Sequence, residues 1–194
     1  MKNILYFLTL FIFINCSSDN ETLNNQLPAI TTTGARAAGC IVNGKVVIPK
    51  DGINSLSGHE VQGLKTLVGI NFFEPVLGGD YYSFSIANLK DKGHSYTVYV
   101  HLNNLLNGIG EYEIGPSIGD YFVYNSCTPY IIVRETQNGV SGKTFTSGEN
   151  SGTITVSRFD SILSGTFSGT VYNKDDVSEK IEITDGRFDF KISQ

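Results

Sequence analysis

The chain has 194 residues and a formal net charge of −5, with 14 Lys and Arg against 19 Asp and Glu. That length suits one domain with a proper core, and the scattered basic residues form no cluster of the kind that holds nucleic acid. Twenty-one Gly, 12 Phe and 10 Tyr, with no Trp, point to many short strands joined by tight turns.

Lys2 gives a positive start, and Ile4 to Ile14 is then almost wholly apolar, broken by Thr9. The run is well short of the roughly 20 residues a spanning helix needs and matches the core of a signal peptide. Cys16 follows after Asn15. A short apolar run ending at a cysteine resembles the lipobox of bacterial lipoproteins. The resemblance implies a signal peptide over 1–15, cleavage before Cys16, and acylation of Cys16 with chains such as palmitate. Each buried CH₂ then holds the protein to the membrane by about 0.8 kcal/mol. An ordinary secretory signal with an incidental cysteine is the alternative. Ser17-Ser18-Asp19-Asn20-Glu21 resembles the surface-export signal of Bacteroidota lipoproteins. It implies display from the outer membrane to the exterior; an anchor facing the periplasm, with this stretch a plain polar tether, is the alternative.

Thr22 to Thr33 is polar and unpatterned, with Pro28 inside it. It reads as a flexible tether, which places the tether over 16–38 and the domain over 39–194. Within the domain, Asn43-Gly44 separates Cys40-Ile41-Val42 from Lys45-Val46-Val47-Ile48. Asn-Gly accepts positive φ at both positions, so a two-residue hairpin is expected with Ile41 facing Val46. Pro49 ends the second strand. Asp51 to Gly63 is irregular, the kind of loop that carries function or is plain surface.

Alternation then marks half-buried antiparallel strands. Leu64 to Phe73 is extended. Tyr82, Phe84 and Ile86 oppose Tyr81, Ser83 and Ser85, and Tyr96, Val98, Val100 and Leu102 share one side. Turns are expected at Gly78-Gly79-Asp80 and Asp91-Lys92-Gly93, and a helical turn around Leu105 and Leu106. Further strands follow at about Gly110–Ile114, Tyr121–Tyr124 and Thr128–Glu135. Asn138-Gly139 and Gly148 to Gly152 read as turns. Leu163, Gly165, Phe167, Gly169 and Val171 share a face. Asp185-Gly186 reads as a hairpin turn that sets Ile183 against Phe188 and Ile181 against Phe190. The whole predicts an all-β domain, a single antiparallel sandwich or barrel of about ten strands.

Two blocks, Gly39 to Lys45 and the stretch from Gly152-Thr153-Ile154-Thr155-Val156 through Ser164–Gly169 to Ile183–Asp189, resemble a family of small, uncharacterised Bacteroidota lipoproteins. The resemblance implies a β-rich envelope lipoprotein and carries over no catalytic residue.

Chemistry is sparse. With Cys16 acylated, Cys40 and Cys127 remain as a disulfide pair in an oxidising compartment, or as two separate buried thiols. Gly115-Pro116-Ser117-Ile118-Gly119 fits the G-x-S-x-G pattern but lacks its strand–turn–helix context. Gly139–Thr144 resembles a phosphate loop without the first glycine or the helix. His94 and His101 fall on opposite faces of one strand, and His59 lies in a loop. Asp175 and Asp176 share a loop without the spacing of a calcium site. Asp160-Ser161-Ile162 resembles the acceptor for O-linked glycans in Bacteroidota, which makes Ser161 a candidate. No motif implies a metal or another cofactor. The reading is therefore a non-enzymatic envelope lipoprotein that binds a ligand or partner protein or fills a structural role. A carrier with an apolar ligand in a barrel lumen is the alternative. A hydrolase would need two or more of Ser117, His59, His94 and His101 to converge with a carboxylate in one cleft.

Overall fold

The computed structural model describes residues 23–53, 57–69, 81–103, 108–119 and 128–192. The signal peptide, Cys16, Ser17–Glu21, Phe72 and Phe73, the Gly78-Gly79-Asp80 turn, the Leu105–Leu106 turn, the Tyr121–Tyr124 strand and Cys127 lie outside those residues.

Twelve strands are described: β1 (Ala37–Val42), β2 (Lys45–Val47), β3 (Gly52–Ile53), β4 (Glu60–Val61), β5 (Leu64–Gly69), β6 (Tyr81–Ala87), β7 (His94–Asn103), β8 (Gly110–Glu113), β9 (Tyr130–Gln137), β10 (Val140–Phe159), β11 (Ile162–Asn173) and β12 (Lys180–Lys191). Ten of them form one antiparallel sheet, curled into a half-barrel, in the order β2-β1-β12-β11-β10-β9-β7-β6-β5, with β8 beside β10. This is the all-β architecture that the alternation predicts. The segment read as an irregular loop holds the small β3–β4 sheet.

The Asn-Gly dipeptides make the expected hairpins. Asn43 and Gly44 take φ of 46° and 75°, and Asn138 and Gly139 take 51° and 76°. Ile41 pairs with Val46 across the first turn.

Asp185-Gly186 behaves differently from the hairpin its sequence suggests. β12 runs straight through it as one strand. Gly39 pairs with Arg187 and Ile41 with Thr184, so two steps along β1 match three along β12. β11 shows the same mismatch, with Phe167 opposite Gly186 and Gly169 opposite Ile183. Asp185, at φ 53°, is therefore a β-bulge. The extra residue shifts parity. Ile181 and Ile183 point into the core before it, and Phe188 and Phe190 after it. A hairpin and a bulge both satisfy that odd-to-even break, which is why alternation alone misassigns it.

Gly148 to Gly152 is likewise a bend within β10 rather than a turn between two strands. Ser147 pairs with Val171 and Gly152 with Gly169, so five steps along β10 match two along β11. Asn150 and Gly152 take positive φ there. Before the bend β10 pairs with β9, and after it with β8.

The curl brings β6 onto β11 and β12. The Phe84 ring centroid lies 5.1 Å from Phe190, 5.2 Å from Phe188 and 6.0 Å from Phe167. Each such edge or tilted pair adds about 0.5–1.5 kcal/mol beyond its buried area. Gly165 makes room for this cluster, because a Cβ there would sit 2.8 Å from Phe188 Cζ. At the open side, Lys50 bridges to Asn88 and Lys45 reaches Asp91 at 2.7 Å, which ties the β1–β2 edge to the end of β6.

The described part of the expected tether is not free. Residues 24–35 lie along the outer face of β12. Leu27 is buried and, with Pro28, sits over Gly39, where a Cβ would come within 3.1 Å of both. Asp189, 2% exposed, accepts from the Thr31 hydroxyl at 2.6 Å and from the backbone N–H groups of Gly34, Thr33 and Ala35 at 2.8, 3.0 and 3.2 Å. Arg187 donates to the Pro28 carbonyl at 3.0 Å and to Asn24. Arg158 donates to the Thr32 carbonyl at 2.7 Å.

Burial alone would raise the Asp189 carboxyl, but the bonds from Thr31, Ala35, Gly34 and Thr33 outweigh it and hold the group below the usual carboxylate range. A depressed folded value means stability that is present above the ordinary carboxyl pKa, about 3.9, and is lost as pH falls through the folded one. Asp189→Asn turns an amide NH₂ or a single carbonyl toward donors that need a carboxylate. Urea unfolding at neutral pH should show a loss of roughly 2–4 kcal/mol. The acid limb of stability below about pH 4 should also flatten in the variant.

Candidate functional site

β6 alternates Tyr82, Phe84 and Ile86 into the core, which leaves Ser83 and Ser85 on the outer face. Register lines up two cross-strand rows there. One is Leu67–Ser83–His101–Tyr130 and the other is Lys65–Ser85–Tyr99–Ile132. Serines are small, and their neighbours on β5, β7 and β9 are large. The result is a trough running along β6. Glu60, Val61 and Gln62, at and just after β4, form one wall. The cavity holds about 700 Å³, within the roughly 300–1,000 Å³ usual for small-ligand sites.

The floor is pre-ordered. The Ser83 hydroxyl hydrogen-bonds His101 Nδ1. The imidazole stacks on the Tyr130 ring with centroids 4.5 Å apart and planes at 18°. Both rings are buried. At the wall, Gln62 accepts from Arg36 at 3.2 Å, so the end of the N-terminal segment braces it. Among the described residues, the side chains of Ser85, Lys65 and Glu60 make no hydrogen bond or ion pair. Lys65 and Glu60 are opposite in charge and both exposed.

The residues a hydrolase would need do not gather. Ser117 follows β8 in a loop, where its N–H bonds the Ser147 carbonyl and its hydroxyl accepts from Gly119. His59 is exposed between β3 and β4. His94 pairs with Glu135 at 2.5 Å at the start of β7, away from the trough. His101 meets Ser83 instead. That pair sits on adjacent strands, each laddered on both sides, so the local backbone N–H groups are already bonded. An oxyanion formed at Ser83 would find no donors from the strands beneath it.

Asp175 and Asp176 are exposed in the β11–β12 loop, where Asp176 accepts from Ser178. Ser161 is exposed at the tip of the β10–β11 turn, beside Asp160, which accepts from Arg158 and from the Ile162 N–H. Cys40 is a buried free thiol on β1, and among the described residues there is no disulfide. Burial pushes its pKa well above the ordinary thiol value.

Alternation sets Ser83 and Ser85 opposite Tyr82, Phe84 and Ile86 but does not mark them as a site. Tyr99 and Tyr130 were not singled out. The usable signal was two serines at alternate positions of one strand, followed by Tyr99 and His101 at alternate positions of the next.

No family model matches the chain, and neither the curated proteins nor the solved structures give a match. The resemblance to envelope lipoproteins thus rests on the residues quoted for it.

A thiolate is required for alkylation, and a buried, undissociated thiol supplies almost none. Iodoacetamide should therefore leave Cys40 unlabelled in the folded protein. It should label Cys40 in denaturant without any reductant. Labelling that appears only after reduction, read by peptide mass, would mean that Cys40 is in a disulfide.

Proposed function

We propose that this chain is a lipid-anchored envelope protein whose β-domain binds a small ligand in the outer-face trough, without catalysing a reaction. The observation that carries the binding part is the trough itself, with its ordered Ser83–His101–Tyr130 row. Among the described residues, Phe84, Phe167, Phe188 and Phe190 pack ring against ring in the interior, which weighs against the carrier alternative. The anchoring part rests on the apolar run before Cys16 and on the Ser17–Glu21 stretch.

The docked N-terminal segment gives this reading a geometric consequence. From an acylated Cys16 to Leu23, where the described chain begins, an extended chain reaches at most about 25 Å at roughly 3.3–3.6 Å per residue. The domain then stands close to the membrane instead of ranging on a long leash.

Protease shaving of intact cells, with mass analysis of the N-terminal peptide, tests the anchoring. A shaved protein carrying an acylated Cys16 is expected. An acylated protein that resists shaving would place the domain in the periplasm. A released protein with an unmodified Cys16 would remove the anchor from the account.

A further inference from the structure

We infer that the trough along β6 takes an uncharged saccharide; this rests on the reading of the trough as a binding site. Four features of the trough narrow the ligand.

Charge comes first. Among the described lining residues Lys65 and Glu60 are the ionised side chains, one of each sign, and the Arg36 guanidinium behind the wall is engaged by Gln62. An anionic ligand would meet Glu60 and a cationic one Lys65, so neither sign gains a net partner.

The second feature is the polar floor. Ser83 and Ser85 sit at its centre, and among the described residues the Ser85 hydroxyl has no partner. An acyl chain lying on them would desolvate hydroxyls and return nothing. A ligand hydroxyl can both donate and accept, which is what a serine hydroxyl needs in return.

The third feature is the apolar flank. Tyr99 on one side and Leu67 and Val61 on the other give surfaces for a ligand's C–H face. A pyranose has an apolar face of C–H groups and an edge of hydroxyls. It presents the first to Tyr99 and the second to Ser83 and Ser85.

Shape is the fourth. The trough is open and follows a strand, and 700 Å³ admits more than one sugar ring, so a linear oligosaccharide fits better than a compact molecule. The Ser83–His101 bond and the His101–Tyr130 stack fix the floor before the ligand arrives, which lowers the ordering cost of binding.

The test is calorimetric titration of the mature chain with neutral gluco-, manno-, galacto- and xylo-oligosaccharides, an oligogalacturonate, and laurate. At least one neutral oligosaccharide should bind. Tyr99→Ala should weaken it at least tenfold. Ser83→Phe, which fills the trough, should abolish it, and Ser85→Tyr provides a second filling variant should Ser83→Phe unfold. Far-UV circular dichroism and thermal midpoints establish that each variant is folded. If only laurate or the galacturonate binds, and the filling variants block it, the saccharide inference is wrong while the trough remains a binding site. If a saccharide binds but the folded filling variants leave it unchanged, or if nothing in the panel binds, the saccharide assignment falls. Binding unaffected by filling also removes the trough from the proposed function.

Discussion

The bulge at Asp185 sets the terms for the rest of the domain. β12 lies between β1 and β11 and contributes core residues at both of its ends. Without one extra residue, Ile181 and Ile183 could face inward, or Phe188 and Phe190 could, but not both sets. Burial of the two Phe side chains is worth about 1.5–3 kcal/mol each, so a chain that failed to bulge would lose much of its margin of stability. Asp is one of the few non-glycine residues that accepts positive φ readily, and Gly186 next to it lets the backbone lie against Phe167, where a Cβ would meet the Phe167 carbonyl at 2.4 Å.

The same parity produces the outer-face features. With Phe188 and Phe190 turned in, Arg187 and Asp189 must face out, and a carboxylate on that face needs donors. The N-terminal segment supplies them, so a polar stretch with no strand pattern becomes a fixed part of the domain. On β6, turning Tyr82, Phe84 and Ile86 inward leaves Ser83 and Ser85 outward between larger neighbours. The core and the trough are thus two faces of the same strands.

Much of the fold was legible because period-two alternation reports directly on burial. The limits of β6 and most of β7 and the pairing of side chains into two faces follow from it, and the Asn-Gly hairpins follow from the positive φ those residues accept. The two misassigned turns share one cause. Alternation detects a break in parity at Asp185 and between Ser147 and Gly152, but it cannot distinguish a strand that bulges from a strand that reverses. Local sequence favoured reversal at Asp-Gly, and pairing with β1 and β11 on both sides overrode it. The docked segment at 24–35 was illegible for a different reason. Its bonds run mostly through backbone N–H and C=O groups, which carry no sequence signature. The trough was half legible: the serines were on the right face, but which strands flank β6, and what they present, is a matter of sheet order.

The most direct measurement is a nuclear Overhauser map of β12 in the isotopically labelled mature protein. A continuous, bulged strand predicts cross-strand contacts of Ile183 with Gly169 and Val42, and of Phe188 with Gly165 and Ala38. Backbone contacts that set Ile183 directly opposite Phe188 would show a hairpin at Asp185-Gly186. They would contradict the parity on which the core, the docked segment and the outer-face arrangement all depend.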